Sequence, residues 1–295
     1  MLTPFTKKND VDFSALGKML DWYVSNGVSG LFAVCQSSEM FFLNLDERVR
    51  IARFIKENTS LPVVASGHVS DGFDNQVEEL NAIAETGIDA IILVVNRLVG
   101  EYESDETLMD RLHKLEEKLP ADMPLGFYDC PYPYKRYLSP AAIEEIAKSN
   151  RYFFYKDTCG DIDLIRAKLD AMKGTNLRMY NANTATLIES LRDGSVGYSG
   201  VMANFHPELY SWLCDNYEDP KADKVADLLT LCSLIERQLY PVNAKYAMGH
   251  CGLDLGIFCR AKDYREFTRP FERETLALMR ITEQIKQYIE LEEVT

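Results

Sequence analysis

The sequence predicts an α/β chain, a (β/α)8 TIM barrel with a C-terminal helical extension, and three observations predict it. Short apolar runs alternate with helical patterns eight times, at intervals of roughly 20–35 residues, as an eight-stranded barrel requires. No glycine-rich dinucleotide turn follows the first strand, which disfavours the competing doubly wound sheet. From about Pro220 the strand signal stops and only long amphipathic helical patterns remain. The expected division is therefore a barrel over residues 1–219 and a helical extension over 220–295 packed on it.

Taken in order, Leu2–Phe5 is a short apolar start and the first expected strand. Helical spacing of Phe13, Leu16, Leu20, Tyr23 and Val24 follows and stops at Gly27. Residues 30–35 and 62–66 read as strands two and three, each followed by a helix (46–58 and 74–86), the second ending at Gly87. Residues 90–95 and 124–128 are strands four and five, with a helix over 105–119 between them. Ser139 then caps a helix that carries Pro140 in its first turn. Strand six closes at Lys156, a helix covers 161–172, strand seven spans 177–181, a helix covers 185–192, and strand eight spans 196–201. In the extension, residues 222–240 and 275–291 have helical periodicity, and the acidic stretch Glu290–Glu293 reads as a solvated end.

Composition narrows the function. With 46 % hydrophobic and 26 % charged residues the composition is close to that of an ordinary soluble protein, which argues against disorder. A formal net charge of −14 argues against nucleic acid or an anionic membrane surface as partner, though not against a small anionic substrate. No apolar run reaches bilayer length, and the start MLTPFTKKND has no signal-peptide core. Seven cysteines without a CxxC pair fit reduced thiols and a cytoplasmic location better than disulfides or zinc.

The stretch Arg151–Asp161, RYFFYKDTCGD, bears most on chemistry. An aromatic strand delivers Lys156 to the point where it gives way to a turn, and lysine is among the residues least often buried. Apolar surroundings disfavour the ammonium, and a neutral amine attacks a ketone to form a Schiff base. The bland alternative is a strand-end lysine that snorkels to solvent. Chemistry in such a barrel sits at the C-terminal strand ends. That rule selects Cys35–Glu39, His68, Asn96 and Arg97, Tyr128, Lys156, Asn181, and Asn204 and His206. Tyr128 and Lys156 end adjacent strands at equivalent depth, so a phenol faces the substrate carbon and can shuttle protons. Of the four histidines only His68 and His206 fall on this face, without the spacing of a metal site, so no metal or other cofactor is expected.

At these residues the sequence resembles the dihydrodipicolinate synthase and N-acetylneuraminate lyase family of Schiff-base pyruvate aldolases, from Thr3-Pro4-Phe5 to about Arg260. VCQSSEMFFLNLDER stands where the family has a Gly-Thr-Thr-Gly-Glu type loop. PLGFYDCP is similar to its tyrosine strand, FFYKDTCGD to its lysine strand, and GSVGYSGVMANFHPE to its last strand. The resemblance implies that Lys156 attacks the 2-keto carbon and Tyr128 relays protons. It implies that Ser37 hydrogen-bonds the tyrosine, and that backbone N–H groups around Ser37 and Ser38 hold the substrate carboxylate. A homotetramer, built as a dimer of dimers, is implied in the same way.

Departures point away from the synthase itself. Cys35 and Ser38 replace the loop glycines, Asn96-Arg97-Leu98-Val99 replaces a tyrosine pair, and Pro133 stands where an arginine grips the second substrate. Arg97, Lys135 and Arg136 offer positive charge instead, and Asn181, Ser199 and His206 offer polar contacts. The expected substrate is a pyruvate-type 2-oxo acid, of the sugar-acid or sialic-acid-like kind. The synthase reaction and a non-catalytic barrel that binds 2-oxo acids are the alternatives.

Overall fold

The computed structural model describes residues 1–290. Seven strands form one parallel sheet: β1 (Leu31–Phe32), β2 (Val63–Ala65), β3 (Ala90–Val94), β4 (Leu125–Tyr128), β5 (Tyr152–Asp157), β6 (Arg178–Asn181) and β7 (Gly197–Tyr198). They pair strictly in chain order. Parallel pairing needs a crossover between strands, and the predicted helices supply it. They include Leu45–Glu57, Phe73–Ala84, Asp105–Glu116, Pro140–Ala147 and Ile162–Met172. Helices on the outside and side chains on the inside leave no wet face, so β3 is buried along its whole length. Ser139 accepts the Ala142 N–H at 3.1 Å and caps its helix as its spacing before Pro140 predicts.

The first expected strand is not there. Leu2–Phe5 is buried but joins no sheet among the described residues; Phe5 makes only an isolated antiparallel bridge to Val11. Pro4 has no N–H for a ladder, and the Thr3 hydroxyl is turned to the Ser38 carbonyl at 2.8 Å. The Met1 amine donates to the Phe32 carbonyl at 2.9 Å. The sheet is therefore curled with seven strands rather than closed with eight, and its two edges, β1 and β7, border one cavity of 190 Å³. Both edge strands are shorter than their apolar runs predict, because each lacks a second neighbour.

The C-terminal part is helical, with Ala222–Cys232, Val242–His250 and Arg269–Ile289. The single helix expected over 222–240 ends at Cys232 and continues as a 3-10 turn, Ser233–Arg237, before Pro241, whose ring disfavours helix in the residue ahead of it. Residues 291–295, with the end of the acidic stretch, lie outside the described residues. No helix of the described residues is long and apolar enough to cross a membrane.

One irregularity sets the interior. Register between β4 and β5 shifts at Leu125/Gly126, so that Leu125 opposes Tyr152 while Gly126 opposes Phe154. Phe153 is the extra residue, and it is exposed. The bulge restarts the two-residue alternation: Tyr152, Tyr155 and Asp157 face the helices, while Phe154 and Lys156 face the interior. Outward, the Tyr152 hydroxyl reaches Glu116 and its ring stacks on Phe127. Lys168, fully buried, donates to Asp157 at 2.6 Å and Asp129 at 3.2 Å, and the Tyr155 hydroxyl donates to Asp129. Burial alone would lower the Lys168 ammonium, but the two carboxylates outweigh it and raise it; burial and the nearby Asp157 push Asp129 up to about 6. Lys168→Met leaves two buried carboxylates without their cation and should cost about 3–5 kcal/mol in chemical denaturation. A loss below about 1 kcal/mol, the range of a surface pair, would show that the triad does not hold this layer.

His68, also fully buried, accepts the Val94 N–H on Nε2 at 2.5 Å, so its proton resides on Nδ1. Burial, with Arg97 and Arg48 nearby, pushes its pKa down from 6.5 to about 3. The unfolded chain then binds a proton that the folded chain refuses, so stability falls as pH drops from about 6.5 towards 3. Thermal melts should show a shallower acid decline for His68→Gln than for the parent chain; parallel declines would exclude His68 as a cause.

Candidate active site

The inward face of β5 builds the site. Phe154 stacks on Tyr180 with centroids 4.7 Å apart, and Phe32 meets both Phe154 and Tyr128 edge-on at 5.8 and 5.6 Å. Gly126 makes this packing possible, since a Cβ there would stand 2.5 Å from the Phe154 carbonyl and 2.7 Å from Ile92. On this aromatic floor stands Lys156, 8 % exposed, its Nζ 4.6 Å from the Tyr128 ring centroid and 5.5 Å from that of Phe32. Tyr128 and Lys156 are direct partners in the β4–β5 register, as their positions at strand ends predict. Burial lowers the Lys156 pKa; Cys35, Cys130 and Glu236 oppose it. Burial likewise holds the Tyr128 phenol well above its usual range, so it is neutral and can donate.

Lys156 opens on two cavities: the 190 Å³ space between the sheet edges and a larger one of 440 Å³ above the strand ends. The larger is lined by Gln36, Ser37, Tyr128, Lys135, Asn183 and Glu236, among others. Tyr128 donates to Gln36 Oε1 at 3.3 Å. Ser37 lines both cavities but receives the hydroxyl of Tyr240 at 2.7 Å, where the sequence reading pairs it with Tyr128. Cys35 lies beneath. Burial would raise its thiol, but the Met1 amine, Lys156 and Ser38 outweigh that and bring it to about 7.

The other expected site residues are dispersed. Ser199 lines the smaller cavity. Ser38 is buried and borders neither cavity: its N–H, expected to help hold a carboxylate, donates to the Cys35 carbonyl at 3.1 Å, and its hydroxyl to the Ala33 and Met1 carbonyls at 2.8 and 3.0 Å. The Asn181 amide donates to Thr186 and Ser190, both at 3.0 Å, and its oxygen accepts from the Asn183 N–H at 2.7 Å; it shapes the loop after β6 and leaves Asn183 at the cavity. Arg97 binds Asp71 at 2.7 Å and does not line the space around Lys156. His206 borders a separate cavity of 780 Å³ against the helix Arg269–Ile289, where burial lowers its pKa to about 3. Strand-end position predicts depth in the sheet, not the direction of a side chain, and these residues turn aside.

Tyr240 and Glu236 are functional candidates that the sequence does not single out, and Gln36 is one it includes only within the stretch Cys35–Glu39, with no role of its own. Gln36 adjoins Ser37 in a turn read for its hydroxyls. Tyr240 and Glu236 come from the extension, where no strand end marks them.

Comparison with known proteins supports this architecture. The model of the "Dihydrodipicolinate synthetase family" matches residues 1–265. A 4-hydroxy-tetrahydrodipicolinate synthase from Clostridium perfringens is 22 % identical over 262 residues, covering 87 % of this chain and 88 % of that one. The enzyme of that name from Pseudoalteromonas atlantica is 25 % identical over 261 residues, covering 84 % and 86 %. The dihydrodipicolinate synthase from Acinetobacter baumannii, solved with pyruvate, superposes with a TM-score of 0.84 at 21 % identity, covering 95 % of this chain and 96 % of that one. YagE, a prophage protein from E. coli K12 also solved with pyruvate, gives 0.83 at 21 %, covering 97 % and 96 %. At such identities the solved structures speak for the fold, and the family model for descent. The chain belongs to the dihydrodipicolinate synthetase family.

Proposed function

We propose that this protein is a Schiff-base lyase or aldolase acting on a pyruvate-type 2-oxo acid, with Lys156 as nucleophile. The observation that carries this reading is the juxtaposition of a buried amine, unpaired among the described residues, with the Tyr128 ring, in strand register, at the floor of a 440 Å³ cavity. Desolvation leaves part of the amine neutral, which attack on the keto carbon requires. Tyr128 would carry protons to and from the carbinolamine oxygen, with Gln36 fixing its hydroxyl. The turn Gln36–Ser38 would receive the carboxylate through Ser37, which Tyr240 orients. The iminium then accepts the electron pair of the bond that breaks beside it.

Two features support a hydroxylated, anionic sugar-acid type substrate over aspartate semialdehyde. Lys135 and Lys262 stand at the mouth of the cavity, and Asn183 and Thr158 offer hydrogen bonds on its wall. Arg97 is paired elsewhere, so the distal charge falls to these lysines. We read residues 1–219 as a barrel scaffold whose missing wall lies between β1 and β7, and the extension from 220 as the cover of the site. Seven free cysteines support a cytoplasmic setting.

Borohydride added with pyruvate should attach a reduced adduct to Lys156, identified by peptide mass, and Lys156→Ala should show none. Tyr128→Phe should slow turnover by roughly 10²–10⁴-fold while borohydride still traps its slower adduct. Absence of an adduct in the parent chain at saturating pyruvate would end the Schiff-base reading. Pyruvate release from a panel of sugar-derived 2-oxo acids then ranks the substrates.

A homotetramer is proposed with it. Phe42 and Tyr132, 45 % and 47 % exposed beside the cavity mouth, and Tyr102, 92 % exposed, are apolar surface that a neighbouring subunit would cover. Light scattering at micromolar concentration should give four chain masses; a monomer mass would refute it.

A further inference from the structure

Two carboxylates line the 440 Å³ cavity, Glu39 and Glu236. Glu39 is fully engaged: Lys245 donates to it at 2.8 Å, and the Arg260 and Ala261 N–H groups at 2.6 and 2.7 Å. Glu236, in the turn Ser233–Arg237, makes no ion pair or hydrogen bond among the described residues and shares the cavity with Lys156 and Tyr128. A half-buried carboxyl with no partner among the described residues is costly to keep, so its place in the same cavity as the amine asks for a use. Tyr128 supplies a donor turned towards Gln36, and Lys135 and Lys262 are cations. The cavity thus holds one carboxylate free to accept a proton.

We infer that Glu236 is a catalytic residue, the general base that takes the proton from the hydroxyl on the carbon released as aldehyde. The inference rests on the Schiff-base reading above. In cleavage, the substrate O–H bond breaks, its proton goes to Glu236, and C=O forms on the departing carbon. The carbon–carbon bond breaks with its electron pair moving towards the iminium, which becomes a neutral enamine. Glu236 returns its proton to water. The enamine takes up a proton through Tyr128, and hydrolysis frees pyruvate and the lysine amine.

The surroundings suit this task. Burial raises the Glu236 carboxyl to about 7, with Lys156 and Arg237 opposing, which places it where a base and an acid both exist at neutral pH. Tyr198 of β7, Tyr210 of helix Pro207–Asp215 and Tyr240 also face it, all with phenols raised by burial and thus neutral. The other elements packed on its turn, helices Ala222–Cys232 and Arg269–Ile289 and the turn Val201–Asn204, bring no charge that acts on it.

Glu236→Gln keeps the shape and removes the base. On the acid that the parent chain cleaves best, its kcat should fall by roughly 100-fold or more, the lower bound of general-base effects. Borohydride trapping of pyruvate, and exchange of pyruvate methyl protons in D2O followed by NMR, should persist, since neither involves a distal hydroxyl. The rise of kcat with pH near 7 should vanish in Glu236→Gln and return in Glu236→Asp, with part of the rate. Unchanged turnover in Glu236→Gln would overturn the inference; so would loss of trapping and exchange together, which would make Glu236 a positioning residue for Lys156. A parent chain that exchanges pyruvate but cleaves no acid in the panel would overturn it too, because no hydroxyl is then served. A parent chain that traps no pyruvate is a different failure, that of the Schiff-base reading itself.

Discussion

The alternation of β5 is the constraint from which the rest of the structure follows. A strand sends successive side chains to opposite faces, so one residue of slip exchanges the two sets. Here one set is Phe154 and Lys156, the other Tyr155 and Asp157, and each belongs to a different solvent-free layer. Inward, an amine without a counter-ion needs aromatic walls and a lowered pKa. Outward, Lys168 needs both Asp129 and Asp157. A slipped register would put a carboxylate on the aromatic floor and Lys156 beside a second buried lysine. Neither layer tolerates that exchange, so the ion triad behind the strand holds Lys156 in front of it in phase.

The second dependence runs through Glu39. Its backbone sits at φ 61°, the left-handed region that glycine favours, and the side chain reaches Lys245 of helix Val242–His250. Lys245 also donates to the Phe258 carbonyl at 2.6 Å, while Arg260 clasps Glu47 at 2.7 Å. The loop after β1 is thereby fastened to the extension, and Tyr240 and Glu236 are carried over Lys156 on the same fastening. The extension is thus a wall of the cavity, since Glu236 and Tyr240 line it together with Lys156.

How much of this the sequence shows depends on how locally each feature is encoded. Lys156 and Tyr128 are legible because an aromatic run ending in a turn marks strand, end and lysine within ten residues. The alternation of strand and helix patterns exposes the parallel order. The Phe153 bulge is not legible, since it depends on how β4 and β5 align, and neither strand encodes that alone. Arg97, Ser38, Asn181 and His206 are misplaced in the sequence reading for one reason: nearby partners such as Asp71, Ala33, Ser190 and the helix Arg269–Ile289 compete for them. Glu236 and Tyr240 lie in an irregular turn more than 75 residues from Lys156, where no periodicity points at a cavity.

The groups around Lys156 share one electrostatic logic. Burial lowers the Met1 amine and Lys156 and raises Glu236, and those cations bring the Cys35 thiol to about 7. The displacements of the two amines and of Glu236 favour their neutral forms, and the lowered Cys35 thiol moves the other way, towards its thiolate. Iminium formation in the proposed reaction would change that balance, because it would place a permanent cation on the nitrogen in surroundings of low dielectric. A cation there favours the ionised form of any nearby carboxyl. In the proposed reaction the substrate carboxylate and Glu236 would both be such groups, so forming the Schiff base would itself strengthen the hold on the substrate and turn Glu236 towards its basic form. Charge would then develop in the order the proposed reaction needs it: cation on nitrogen, base beside the hydroxyl, electron pair into the iminium.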